Sequence, residues 1–345
     1  MSKNIIVFCD GTNQKGGVGN NTNVYKLFNM IEDRTSKQIA YYDPGIGTDI
    51  KKITGSLFGR GFSKNILECY RFIFENFEAG DKIYLFGFSR GAATVRSLSS
   101  FIHLFGVLPK SRVDLIKEAF SIYKKSNREK KAKKFIQKHH TMWCSIEFVG
   151  VWDTVAALGF PVKGLSILFE TIFSHKFHSF KLSKSIKFAR HALSIDDERK
   201  TFHPILWEPI NSDSDQDKLK QVWFAGVHTD VGGGYKEDEL SDISLKWMIK
   251  EAVSKGLIIF NKSKNYKNLM GRVPNAEGMI HNEQKGFIGK MFKRKQRTWN
   301  NETHGKPIIH ESVLKRTKSS DNKDSPEYKP WILNHMDQNH PKIES

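Results

Sequence analysis

Cysteine is scarce in this 345-residue chain: Cys9, Cys69 and Cys144 are odd in number and far apart. That excludes a disulfide-framed secreted fold and offers no metal-binding framework, so no metal and no cofactor is expected. Long apolar runs are missing too. No window reaches the roughly 18 residues that a membrane-spanning helix requires. The opening MSKNIIVFCDGT has too short an apolar stretch for a secretory signal, and no small-residue cleavage site follows it. No internal repeat is evident, which argues against a solenoid. Acidic residues are the minority, 37 against 55 lysines and arginines, for a formal net charge of +18. Such an excess fits an anionic partner, nucleic acid or the phosphate surface of a membrane, or plain solubility. The expected location is the cytoplasm with peripheral membrane contact, or export by a system that needs no signal peptide.

What is present is a hydrophobic content of 39%, enough for one large core or two modest ones, with a single catalytic domain carrying insertions favoured. Strand-like and helix-like runs alternate. NIIVFC (4–9), QIAYYD (38–43), DKIYLFGF (81–88), CSIEFVGVWD (144–153) and KQVWFAGVH (220–228) read as strands. NVYKLFNMIED (23–33), FSKNILECYRFIFENF (62–77), RGAATVRSLSSFIHLFG (90–106), SIKFARHALSI (185–195) and SDISLKWMIKEAVSKG (241–256) read as helices, the last with Ser241 as its N-cap. This alternation predicts an α/β fold with a mainly parallel central sheet flanked by helices. Two insertions interrupt it: a basic helical one at about 107–143, and an apolar, aromatic one at about 156–182 that reads as a cap over an apolar pocket. Residues 1–280 are expected to form the catalytic domain, and 281–345 a basic, loop-rich extension. In KGFIGKMFKRKQR (285–297), apolar side chains alternate with cations, a pattern suited to an interfacial membrane contact or to nucleic acid.

After the first strand comes NQKGGVGNNT (13–22), which comes close to a phosphate-cradling loop. Asn20 and Asn21 stand where lysine and a hydroxyl residue should be, so nucleotide hydrolysis is disfavoured. A different site is better supported. Gly87-Phe88-Ser89-Arg90-Gly91 has the form G-x-S-x-G. By composition alone that pattern would arise in roughly one chain in ten of this length. Its context is more specific, because a strand runs into the serine and a helix starts immediately after it, as in a nucleophile elbow. Gly87 and Gly91 are small because side chains there would meet the neighbouring strand and helix. A serine needs a base and an orienting acid, and in such sheets the chain order is Ser, Asp or Glu, then His. Asp153 ends one predicted strand, and His228 ends a later one inside a glycine-rich loop. His191 and His203 read as core or cap residues. Asp196 is the alternative acid, otherwise paired with Arg199 or capping a turn, and Asp230 is expected to hold its loop. The Arg90 N–H would supply one oxyanion donor and Gly11 or Thr12 the second, with Asp10 fixing that early loop by hydrogen bonds.

VFCDGTNQ, YYDPGIGT, LFGFSRGAATVRSL, FVGVWDTVAALG, HALSIDDERKTFHPILW and VWFAGVHTDVGGGY, with IIHESVLKR (308–316) as a possible last block, together resemble a known family. It is an α/β-hydrolase family long labelled a domain of unknown function, whose best-known members are Tle group one-like phospholipase effectors of the bacterial type VI secretion system. The resemblance runs from about residue 4 to 250. It implies an α/β-hydrolase fold with helical cap insertions, and a catalytic serine, acid and histidine that match Ser89, Asp153 and His228. The expectation is a serine esterase of lipid esters, a phospholipase A working through an acyl-enzyme. The alternatives are an esterase of a soluble small molecule, or a hydrolase-fold protein that binds nucleic acid without catalysis.

Overall fold

The computed structural model describes residues 2–11, 16–45, 55–155, 181–210, 217–285, 289–319, 327–337 and 341–345. Thr12 and residues 156–180 of the apolar insertion lie outside this set.

Strands β1 (Asn4–Cys9), β2 (Gln38–Asp43), β3 (Lys82–Phe88), β4 (Ile146–Trp152), β5 (Ile186–Ser194), β6 (Leu219–Phe224), β7 (Ile308–His310) and β8 (Lys342–Glu344) form one sheet in the order β2-β1-β3-β4-β5-β6-β7-β8. Every pairing along it is parallel. The central strands are continuous apolar runs because both of their faces are covered. Successive β1 side chains alternate between two cores. Ile5, Val7 and Cys9 face Phe62, Ile73, Leu98, Phe101 and Phe120 of helices α2 (Gly55–Asn76), α3 (Arg90–Phe105) and α4 (Leu115–Tyr123). Helix α5 (Arg128–His139) adds Ala132 and Phe135 to that side. Ile6 and Phe8 face Val24, Leu27, Trp247, Met248 and Leu269 of α1 (Asn23–Phe28), of a helix at Glu239–Ser254 and of one at Lys264–Gly271. With a five-residue helix at His228–Gly232 counted as α6, the last two are α7 and α8; α9 (Asn301–His304) and α10 (Glu311–Ser319) follow. This is the α/β-hydrolase arrangement, a parallel sheet between two helical layers. Strand order reverses between β1 and β3, so their carboxyl ends part there and open a crevice, where open α/β sheets place ligands.

Several expectations about the elements differ from the structure. SIKFARHALSI is strand β5, not a helix, pairing with β4 on one side and β6 on the other. Its alanine, leucine, lysine and arginine favour a helix locally, but two flanking strands supply a full ladder of hydrogen bonds and override that preference. Ser241 does not cap α7. The N-cap is Asp238, and the Ser241 hydroxyl donates to the Asp238 carbonyl at 3.0 Å from inside the first turn. The stretch 281–345 supplies β7 and β8 to the sheet, and its Trp299 and Trp331 pack edge-on against Trp223 of β6.

Candidate active site

Strand β3 runs into α3 through a single residue, Ser89, at φ 58° and ψ −118°. A non-glycine residue in that region is strained and persists only where its surroundings hold it. The sharpness of the turn explains both glycines. A Cβ on Gly87 would lie 2.6 Å from the Gly91 backbone, and one on Gly91 would lie 2.0 Å from the Cys9 carbonyl oxygen. The Ser89 N–H is held by the Trp152 carbonyl at 3.0 Å, so the end of β4 buttresses the elbow.

Asp153 follows β4 directly, with φ 36° and no exposed surface. His228 does not end a strand, since β6 stops at Phe224. It opens helix α6, with Gly226 at φ 109° in the connecting turn. The three side chains nonetheless meet. His228 Nε2 is 2.8 Å from Ser89 Oγ, and His228 Nδ1 is 2.6 Å from Asp153 Oδ2. The imidazole lies between Phe88, with ring centroids 4.6 Å apart, and the edge of Phe202 at 5.1 Å. Its ring plane is therefore fixed by packing as well as by hydrogen bonds. Chemically, this is a hydroxyl in contact with a base whose other nitrogen is held by a buried anion, which suits proton withdrawal from the hydroxyl.

Asp153 also receives donors that sequence reasoning missed. Arg297, 1% exposed, donates from Nη1 to Oδ1 at 2.7 Å and from Nη2 to Oδ2 at 2.8 Å. Ser194 donates its N–H at 3.1 Å and its hydroxyl at 3.3 Å. Burial alone would raise the Asp153 carboxyl, but the guanidinium beside it and the His228 hydrogen bond hold it well below the usual carboxylate range. The sequence offered only a cation among cations at 297.

The Arg199 partner is Asp197 rather than Asp196, for which that pairing was expected. Asp197 accepts the His228 N–H at 3.2 Å and pairs with Arg199. Asp196 accepts the Gly226 N–H at 2.6 Å and the Tyr328 hydroxyl at 2.9 Å, and burial pushes it up to about 6. Asp230 accepts the Val227 and His281 N–H groups and faces His281 Nδ1 at 2.6 Å, as a loop-holding residue would. His191 is buried within the sheet, where burial pulls it down to about 3 and its Nε2 accepts the Thr154 N–H. His203 lies outside the site, with Nε2 at 2.8 Å from the Lys295 carbonyl oxygen.

At the early loop, Gly11 lies against the elbow, since a Cβ there would be 3.5 Å from Ser89 Cβ. Its N–H, however, is donated to Asp10 Oδ1 at 2.7 Å, so in this structure that amide serves Asp10 rather than an oxyanion. Asp10 Oδ2 accepts from Thr22 at 2.6 Å and Tyr42 at 2.8 Å, tying the end of β1 to α1 and β2. Burial raises Asp10 from 3.8 to about 6 despite those donors. In the folded protein, Asp10 therefore binds a proton that the unfolded chain has already lost between these values. Its stability contribution is full below about 4 and fades as pH rises through 6. The stability of wild type relative to Asp10→Asn, from urea unfolding, should drop by on the order of 2–3 kcal/mol between pH 4 and 7. A difference that stays flat with pH would refute this account of Asp10.

Among the described residues, the set closest to a metal-ligating group is Cys9, Asp43 and Cys69, all buried. Their Sγ atoms are 3.3 Å apart, and Cys69 Sγ is 3.8 Å from Asp43 Oδ2. Burial pushes both thiols up, which favours the protonated form over the thiolate a metal needs. The trio is satisfied as a thiol–thiol–carboxylate hydrogen-bond chain.

Comparison with known proteins bears on this arrangement. A family model described as the catalytic domain of type VI secretion (T6SS) phospholipase effectors, Tle1-like, matches residues 3–251. An uncharacterized protein of Saccharomyces cerevisiae, YEL023C, is 31% identical over 238 residues, 60% of this chain and 33% of that protein. An uncharacterized Pseudomonas aeruginosa protein of known crystal structure is similar at 18% identity and a TM-score of 0.51, over 79% of this chain and 48% of that one. A structure of the Tle1 effector bound to the VgrG spike of the type 6 secretion system is similar at 19% identity and a TM-score of 0.37, over 69% of this chain and 52% of that one. The chain thus spans a third to about half the length of these relatives.

Proposed function

This chain belongs to the Tle1-like catalytic-domain family of type VI secretion phospholipase effectors, and from that premise we propose that it hydrolyses carboxylic esters of lipids as a phospholipase A with Ser89 as nucleophile. One observation carries the reading: the continuous relay from Ser89 Oγ through both nitrogens of His228 to Asp153, at 2.8 and 2.6 Å, set on a strained strand-to-helix turn. In the reaction, His228 Nε2 takes the Ser89 proton as Oγ attacks the ester carbonyl carbon. The imidazolium is held by Asp153, and the carbonyl oxygen becomes an oxyanion. The Arg90 N–H at the start of α3 is one donor to it. Thr12, or Gly11 after release from Asp10, would be the second. Collapse of the tetrahedral species breaks the bond to the alcohol oxygen, which takes the proton from His228 and leaves as the lysolipid. Water, deprotonated by His228, then attacks the acyl-enzyme; the acyl–Oγ bond breaks, Ser89 Oγ recovers the proton from His228, and the fatty acid leaves.

A lipid rather than a soluble ester is favoured by what borders the site. Phe292 packs on Phe202, which packs on His228, while Lys290, Met291, Lys293 and Lys295 of the same segment are exposed. Cations with an interleaved methionine beside a nucleophile suit an anionic interface. The apolar insertion at 156–182 would take the acyl chain. Among the described residues no helix is long and apolar enough to cross a membrane, and family membership suggests export without a signal peptide.

The test is lipid mass spectrometry of vesicles with and without anionic phospholipid. Fatty acid and lysophospholipid should appear together, faster on the anionic vesicles. Charge reversal at Lys290, Lys293 and Lys295 should remove that preference while sparing turnover of a short-chain ester. Cleavage of short-chain esters with no lysophospholipid from either vesicle would replace the lipid reading with that of a soluble esterase.

A further inference from the structure

Arg297 lies 144 residues from Asp153 in sequence, beyond the stretch that matches the family model. Even so, its guanidinium is the group most fully engaged with the candidate acid. All five N–H donors of a guanidinium are used: Nε on the Asp197 carbonyl at 3.1 Å, Nη1 on Asp153 Oδ1 and the Ser194 carbonyl, and Nη2 on Asp153 Oδ2 and the Phe202 carbonyl. Three of these partners hold His228. Asp153 holds its Nδ1, the Asp197 carboxylate accepts its main-chain N–H, and Phe202 packs on its ring.

We infer that Arg297 is a positioning residue of the reaction: its fork orients Asp153 and clamps the wall around His228, so that the residues beyond 280 complete the catalytic centre. This rests on the reading of Ser89, His228 and Asp153 given above. The fork has a chemical consequence as well as a geometric one. A carboxylate buried with only an imidazole beside it would take the imidazolium as its counter-charge, and the base would be held protonated. Arg297 supplies that counter-charge permanently, so the imidazole is not required to. The other charged or titratable groups around His228 are Asp197 and Asp230, Glu283, which pairs with Arg199 at 2.9 Å, and Arg199 itself, stacked over the Phe202 ring at 3.6 Å. Among the described residues none of these touches the Asp153 carboxylate, so its permanent charged partner there is Arg297.

The full-length Arg297→Met and Arg297→Lys variants, with Ser89→Ala alongside, test this through kcat and KM for a soluble short-chain ester as a function of pH. Arg297→Met should lose about 100-fold in kcat, the usual result of misplacing a catalytic group by about an ångström. Its acid limb should move up by roughly one pH unit while KM stays near wild type. Arg297→Lys keeps the charge but not the fork. It should lose about tenfold, with the acid limb in place. Wild-type kcat and an unmoved limb in Arg297→Met overturn the inference. So do equal losses in both variants with unmoved limbs, which would mean a purely structural arginine. Should Arg297→Met fail to fold, wild-type kcat in Arg297→Lys is the overturning result. Full activity in Ser89→Ala would instead remove the underlying site reading. Inert Ser89→Ala beside an unaffected Arg297→Met removes only the role of Arg297.

Discussion

Ser89→Ala is expected to lower kcat for ester hydrolysis by a factor of about 10⁵ or more and to abolish labelling by a fluorophosphonate probe, with the fold intact. The size follows from the relay. Without Oγ, His228 has nothing to deprotonate except water, and what remains is binding plus the oxyanion donors. The fold should survive because, among the described residues, Ser89 Oγ bonds only to His228 Nε2, at 2.8 Å, and losing a single such bond costs about 1 kcal/mol. Alanine also removes no part of the backbone strain at this residue. Because the serine and histidine act as a unit, Ser89→Ala combined with His228→Ala should be barely slower than either change alone. Turnover and labelling measured on the same preparations decide the matter: a Ser89→Ala protein that still reacts with the probe locates the nucleophile elsewhere.

Gly91→Ala should be lost to folding rather than to chemistry. Its Cβ would lie 2.0 Å from the Cys9 carbonyl oxygen and 2.6 Å from that of Asp10. Both are main-chain atoms at the end of β1, a strand held between β2 and β3, so neither can rotate away as a side chain would. For one methyl group to fit, α3 must back off from the sheet. That would open the core packed beneath Ala92, Val95 and Leu98. Destabilisation of about 4 kcal/mol or more is expected, a large part of the ~5–15 kcal/mol typical of a domain. Gly271→Ala is the control, because a Cβ there meets nothing within 4 Å, and its effect should stay within about 0.5 kcal/mol. Urea unfolding midpoints for both variants provide the comparison. A Gly91→Ala midpoint equal to wild type would show that the helix and strand approach each other less closely than described.

Much of the candidate site was legible along the chain because its geometric requirements are local or topological. Gly87, Ser89 and Gly91 sit within five residues, and the tightness of a strand-to-helix turn dictates two of them. Asp153 and His228 were read from their order after two strands, which are β4 and β6 of one sheet. In a parallel sheet every strand ends at the same edge, so residues just past those ends converge whatever their distance in sequence. The same logic located the Asp10 loop beside the elbow. It did not reveal that the Gly11 amide is occupied by the Asp10 carboxylate, since that depends on a hydrogen bond between neighbours whose alternatives are equally short-range. Asp196 and Asp197 were indistinguishable as adjacent letters. Only the path of the chain out of β5 decides which carboxylate turns toward His228.

By itself, the amino-acid sequence determined the layered α/β architecture and the position of the elbow, because hydrophobic periodicity and glycine sterics act over a few residues, and it pointed to the three residues of the relay through the order of strand ends. Tertiary structure alone decided that 185–195 pairs as a strand, that the chain beyond 280 closes the sheet, and that Arg297 leaves a run of surface cations to bind the buried acid. The reason is common to all three. A backbone ladder or a desolvated charge takes its free energy from a partner many residues away, and nothing in the adjacent sequence records which partner that is.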